Sequence, residues 1–131
     1  MTVYRLTSAM PSDERYGLRS QVRRAAVSVA TNIVEGAARP KTVEYCRFLY
    51  VAHGSARECE YLLSVAIRLR MVDQTSTVAA CDDFRVLAAM LLAAAQELER
   101  RTEEEVAYPR IKKALLRATS AVAGQVLSPK P

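Results

Sequence analysis

At 131 residues, half of them hydrophobic, the chain has the length of one domain and enough apolar mass for a core of its own. Trp is absent, Gly occurs only four times and Ala is abundant, which disfavours a sheet protein. The net charge of +5 is gathered in two places: residues 1–72 hold eleven Lys/Arg against six Asp/Glu, and the last 26 residues hold five Lys/Arg and no acid.

A basic surface attracts nucleic acid or anionic lipid without choosing between them. The longest apolar run, Val86 to Ala95, has ten residues and is too short to span a membrane. Met1 leads into Thr2 and Arg5 rather than an apolar stretch, which predicts no secretory leader. The cysteines, Cys46, Cys59 and Cys81, form no CxxC, and their odd number argues against a disulfide framework, so a reduced, cytoplasmic protein is expected.

In chain order, Val3 to Ala9 reads as a short helical or irregular lead-in. Pro11-Ser12-Asp13 is a breaker with possible caps. The first long helix follows, to about Val34, with Gly36 as its stop and Pro40 preventing its continuation. A second long helix is expected over 42–70, a loop over 73–77 and a third long helix over 78–101. Pro109 opens a weaker helical stretch through Ala123, and Ser128 to Pro131 is a loose end. This divides the chain into a helical bundle domain, 1–105, and a basic C-terminal tail, 106–131.

Each long helix carries an apolar stripe at steps of three and four. The stripes are Leu18, Val22, Ala25, Val29, Ile33; then Tyr45, Leu49, Ala52, Ala56, Cys59, Leu63, Ala66; then Phe84, Leu87, Leu91, Ala94, Leu98. Helices of this length joined by short loops pack as an up-and-down antiparallel bundle, and the small residues among them let the axes approach closely.

The first long helix has a second apolar side, Ala26, Val27, Ala30 and Val34, which predicts cover by another subunit, unless these small residues are simply tolerated at the surface. Between the two sides runs a polar stripe, Gln21, Arg24, Ser28, Asn32 and Glu35, read as a structural network rather than a catalytic pair. Opposite the core stripe of the second helix run Arg47, Tyr50, Gly54, Arg57, Tyr61, Val65 and Arg68, at steps of 3, 4, 3, 4, 4, 3. Gly inside a helix costs roughly 1 kcal/mol against Ala, which suggests close approach of something at Gly54. Either a neighbouring subunit anchors on Tyr50, Gly54 and Tyr61, or a nucleic-acid backbone lies there, with Arg on phosphates and Tyr on bases; the plain alternative is a solvated face balanced by Glu58 and Glu60.

His53 is the sole histidine and has no ligand cluster around it in sequence, so a structural or exposed place is expected, and no metal or cofactor site. No phosphate loop, HExxH or nucleophile motif occurs, which predicts a protein that is not an enzyme. In the tail, Arg110, Lys112, Lys113 and Arg117 lie opposite Ile111, Leu115, Ala118 and Val122, a basic amphipathic segment that either folds back on the bundle or serves as an arm for nucleic acid or a membrane surface.

The stretches YGLRSQVRRAAVSVATNIVEG (16–36) and EYCRFLYVAHGSARECEYLL (44–63) closely resemble the four-helix bundle family first met as proteins encoded in intervening sequences of bacterial large-subunit ribosomal RNA genes. The motif residues are Tyr16-Gly17-Leu18, Ser20-Gln21, Arg23 to Ser28, Asn32-Ile33, Glu35-Gly36, Glu44-Tyr45, Arg47-Phe48 and Gly54-Ser55. The resemblance implies an up-and-down bundle, assembly as a ring-like homopentamer, and kinship with the accessory protein of diversity-generating retroelements, which binds a reverse transcriptase and nucleic acid. It implies no established activity. Family members usually carry a full first helix ahead of the segment that matches Val3 to Thr7, so here either the true start lies upstream of Met1 or the first helix is truncated, which leaves apolar surface that the tail helix could fill. Lys41 replaces the family's capping Ser three residues before Glu44, and Ala38 replaces its second Gly.

Together these features predict a homo-oligomeric basic scaffold or accessory factor that engages RNA or a nucleic-acid-processing, reverse-transcriptase-like partner. Arg23, Arg24, Arg39, Lys41, Arg47 and Arg57 are the candidate contacts, with Val27, Ala30, Val34, Tyr50, Gly54 and Tyr61 as the oligomer interface. The rival expectation is a purely structural, protein-interaction module.

Overall fold

The computed structural model describes residues 2–127, with the side chains of 2, 15, 16, 106–112, 115 and 118–127 outside that description. The loose end expected at Ser128–Pro131 and most of the tail's two-sided pattern therefore lie outside the described residues. The elements are α1 (Thr2–Ser8), a 3-10 turn (Ser12–Tyr16), α2 (Leu18–Ala37), α3 (Thr42–Arg68) and α4 (Gln74–Leu127). They pack as an all-α, up-and-down four-helix bundle. α2 runs antiparallel to α3, with Ser28 on Ser55 and Gly36 on Phe48, and α3 antiparallel to α4, with Cys46 on Ala95 and Glu60 on Arg85.

The apolar stripes form two core clusters. One joins Val3, Leu6 and Met10 to Val22, Cys59, Leu63 and Ala80; the other joins Val29, Leu49, Ala52, Ala56, Ala88, Leu91 and Ala95. α1 has seven residues and feeds only the first cluster, so it covers one end of the trough between α2 and α4. All three cysteines are buried and free. Burial pushes the Cys59 thiol up to about 12 and raises Cys46 and Cys81 as well.

Two stripe residues fall otherwise than expected. Ala26, placed on the outer side by its angle, is buried, because α1 lies over it. Ala94 is exposed, and Ala88 and Ala95 fill the seam against α3. In an alanine run size gives no signal, so the angle alone cannot tell neighbours apart.

The helix ends also differ. The first long helix starts only at Leu18, whose N–H donates to the Glu14 carboxylate at 3.0 Å. Gly36 does not stop it. The helix runs on to Ala37 and is capped by Ala38 at φ −82°, a conformation any residue adopts, so the turn needs no second Gly. Gly36 is present for space: a Cβ there would stand 2.7 Å from the Phe48 Cβ and 2.8 Å from the Tyr45 ring. Lys41 is the N-cap of α3 and offers no side-chain bond, as expected from the missing Ser.

α3 ends at Arg68 in a Schellman turn. The Arg70 N–H donates to the Ile67 carbonyl and the Met71 N–H to the Ala66 carbonyl, each at 3.0 Å, with Arg70 at φ 54° in the left-handed region. α4 begins at Gln74, earlier than expected, because Asp73 accepts the Ser76 N–H at 2.9 Å and also its hydroxyl. Those two bonds hold the Asp73 carboxyl below its ordinary range.

The third and last helical segments are one helix, continuous through Pro109. A proline removes one backbone donor, but the flanking run of Glu, Ala, Lys, Leu and Arg favours helix on both sides and carries it across.

Gly36→Ala is expected to lower unfolding stability by roughly 1–3 kcal/mol in denaturant titration, since Phe48 Cβ and the Tyr45 ring must both yield. Arg70→Gly is expected to raise it by about 0.5 kcal/mol, because the left-handed strain exceeds the entropy cost of Gly; an unchanged midpoint would mean that Arg70 is not strained.

Candidate nucleic-acid interface

The α2 helix places Arg19, Ser20, Arg23 and Arg24 on one turn-and-a-half of one face, next to Tyr4 of α1 and Ser12 of the 3-10 turn. Together they line an open cleft of about 700 Å³. The Arg23 guanidinium is held in place: its Nε donates to Thr7 Oγ1 at 2.8 Å, its Nη2 to Ser8 Oγ at 3.2 Å and to the Tyr4 carbonyl at 3.3 Å, and it stacks 4.6 Å from the centre of the Tyr4 ring. Arg23 thus ties α1 to α2 while its charge stays at the cleft. Arg24 is exposed, and it also borders a second cleft that contains Glu58. Arg19 is half-buried, and its Nε is shut from solvent with no hydrogen-bond acceptor. Arg19 is the site residue that sequence reasoning missed; its signal was the Arg19/Arg23 and Ser20/Arg24 spacing of four.

Among the described residues, every ion pair lies on α3 and α4. Glu60 bridges Arg57 at 2.7 Å and Arg85 at 3.0 Å, and Arg85 also meets Asp82. Glu97 meets Arg100 and Arg101, each at 2.8 Å, and these two guanidinium groups hold its carboxyl down to about 2; Arg100 also reaches Glu104. The six candidate cations therefore separate. Arg57 is paired, and Arg47 borders a cleft with Glu99 and Glu103. Arg23 and Arg24 face a cleft with no carboxylate in its lining. Arg39 stacks on the Phe48 ring at 5.0 Å, and Lys41 stands exposed at the start of α3.

Of the polar stripe of α2, Ser28 reaches a partner helix, while Asn32 turns back onto Ser28 and Gln21 and Arg24 are exposed. Ser28 and Ser55 share a hydrogen bond at 2.8 Å, and Asn32 Nδ2 donates to the Ser28 carbonyl at 2.7 Å and to its hydroxyl at 3.0 Å. Glu35 remains exposed. The expected outward side of α2 is also where it was placed, with Val27, Ala30 and Val34 all exposed, Val34 at 69%. On α3, Tyr61 is exposed, and Gly54 has nothing of its own chain within 4 Å of a would-be Cβ. Tyr50 is a correction: it turns toward α4 and donates to Glu99 at 2.6 Å, because a long side chain at the stripe's edge can reach across. His53 is structural, its Nδ1–H donating to the Ala88 carbonyl at 2.8 Å.

An apolar groove of about 360 Å³ continues the line of α1 between α2 and α4, lined by Val3, Ala26, Val29, Ala30, Ile33, Phe84 and Leu87, with Asp83 at its edge. Among the described residues, no cluster of His, Cys, Asp and Glu could hold a metal ion, and no helix is long and apolar enough to cross a membrane.

A family model described as 23S rRNA-intervening sequence protein matches residues 1–93. Among solved structures, the chain is similar to a protein of unknown function from the S23 ribosomal protein family of Bacteroides thetaiotaomicron. The TM-score is 0.60 and the identity 20%, over 64% of this chain and 78% of that one. No curated protein matches the chain.

The Tyr50–Glu99 bond pushes the Tyr50 hydroxyl up to about 12, because a neighbouring carboxylate favours the protonated form. A raised value in the folded state means that the bond's stabilisation is complete below the ordinary tyrosine range near pH 10 and is lost as pH rises through about 12. Ultraviolet titration is expected to show one late tyrosine, returned toward about 10 by Glu99→Gln; tyrosines that all titrate together in the wild type would show that the bond is not made.

Proposed function

The chain belongs to the 23S rRNA-intervening sequence protein family, and from that premise we propose that it is a non-enzymatic, homo-oligomeric scaffold whose basic faces engage RNA or a nucleic-acid-processing partner. The observation that carries this reading is the division of charge. Acids pair with Arg57 of α3 and with Arg85, Arg100 and Arg101 of α4, whereas Arg19, Arg23 and Arg24, clustered on one face of α2, have no ion pair among the described residues. Cations left without carboxylates attract phosphates, and each phosphate neutralised releases counterions, which makes such binding steeply salt-dependent. Repetition of the face in an oligomer multiplies the attraction. Arg39 and Lys41 add charge at the α2–α3 turn, and the basic stretch 106–131, a tail distinct in role from the bundle 1–105 although α4 runs into it unbroken, brings further positive charge.

Self-association is supported by apolar surface: the groove between α2 and α4, and Val27, Ala30 and Val34 beside it. Gly54 and Tyr61 offer a second contact on α3. A homopentamer is the assembly that the family resemblance implies. The same surface favours the rival reading, a protein-interaction module without nucleic acid.

The nuclease-treated protein is expected to bind structured RNA with an affinity that falls steeply with salt. The charge reversals Arg24→Glu and Arg39→Glu are expected to weaken binding roughly tenfold or more at low salt while the mass from light scattering stays the same. An intact oligomer indifferent to RNA and DNA at low salt would establish the interaction-module reading instead.

A further inference from the structure

We propose that the cleft between α1 and α2 is a binding site for a nucleoside phosphate, with Arg19 and Arg24 on the phosphate. This rests on the reading that the α2 face meets nucleic acid, and it narrows that face to one cleft. Three features of the cleft point to a ligand of this chemistry.

The first is charge without countercharge. Three guanidinium groups and the hydroxyls of Ser12 and Ser20 converge with no carboxylate in the lining. Of the two acids on the 3-10 turn, Glu14 accepts the Leu18 N–H, and Asp13 is exposed and does not line the cleft. Planar guanidinium groups grip phosphate with paired hydrogen bonds, which a lone ammonium cannot do.

The second is an unmet donor. The Arg19 Nε is closed off from solvent and has no acceptor, although its side chain borders an open cleft. A buried donor without a partner is costly, and turning onto an anion would supply the acceptor. Arg23 stays in place meanwhile, since Thr7, Ser8 and the Tyr4 carbonyl hold it, and provides a fixed positive field.

The third is size. About 700 Å³ is far more than one phosphate group needs and lies within the usual range for small-molecule sites, ~300–1,000 Å³. Tyr4, exposed at 40%, and Val27, at 38%, add an aromatic and an apolar wall suited to sugar and base.

The nucleoside phosphate can be free or part of a strand, and competition separates the two. The full chain is titrated with AMP, with inorganic phosphate and with a labelled single-stranded RNA, by calorimetry and fluorescence anisotropy. AMP is expected to bind at one site per chain, to exceed inorganic phosphate in affinity and to displace the RNA at least in part. Arg19→Gln combined with Arg24→Gln is expected to weaken AMP roughly tenfold or more. The equal charge loss of Arg100→Gln with Arg101→Gln, which pair with acids of α4 and do not line the cleft, is expected to leave AMP binding unchanged. Arg24→Glu alone gives the same readout should Arg19→Gln disturb folding. RNA binding that AMP neither displaces nor mimics would overturn the cleft and leave the broader nucleic-acid reading intact. AMP binding without RNA binding would support the cleft as a free-nucleotide site and sink the broader reading. Equal binding of AMP and inorganic phosphate would overturn the nucleoside assignment.

Discussion

The fold depends on how closely α2 and α3 approach. At one end of their contact Gly36 leaves room for the Tyr45 ring and the Phe48 side chain, and in the middle two serines share a hydrogen bond where larger residues would force the axes apart. Ala52 and Ala56, fully buried on α3, continue the same economy of size toward α4, where Ala88 and Ala95 answer them. A bundle built on small residues gains less from burying bulk than from the number of contacts that close axes allow. Its tolerance for added volume is correspondingly low. Gly36, Phe48 and Ser55 fall on this contact and Asn32 supports it through Ser28, so these residues of the quoted motif have a structural role.

The distribution of charge is the second organising fact. Asp82, Glu97 and Glu104 of α4 meet arginines of the same helix, and Glu60 of α3 joins two helices through Arg57 and Arg85. These are exposed pairs, each worth little to stability. Their effect is on the field: they offset the charge of Arg57, Arg85, Arg100 and Arg101, while Arg19, Arg23 and Arg24 on α2 have no such pair among the described residues.

Much of the fold was legible in the sequence, because large apolar residues at steps of three and four state a face without ambiguity. Val22, Leu49, Leu63 and Leu91 are all buried where the pattern placed them. The pattern failed where the residue was small or the side chain long. Ala26 and Ala94 exchanged places because alanine fits either environment, and the outcome depended on α1 and α3 lying to one side. Tyr50 was read outward from its angle, yet its hydroxyl reaches Glu99 on another helix. Pro109 was read as a boundary from a local rule that good helix formers on both sides outweigh. Of the interface, Arg23 and Arg24 were legible as basic residues. Their lack of carboxylate neighbours, and the part of Arg19, emerged only once α1 and the 3-10 turn were seen to close the cleft.

The three buried thiols give the bundle a built-in gauge of its own opening. Cys59 and Cys81 sit in the cluster that α1 covers, and Cys46 sits in the other. A thiol held neutral in a packed core meets an alkylating reagent only when its surroundings open, so its rate of modification reports the free energy of that local excursion. The half of the bundle that α1 covers and the half it leaves open thus carry separate reporters, Cys59 and Cys81 in the first and Cys46, which lines the cleft beside Arg47, in the second.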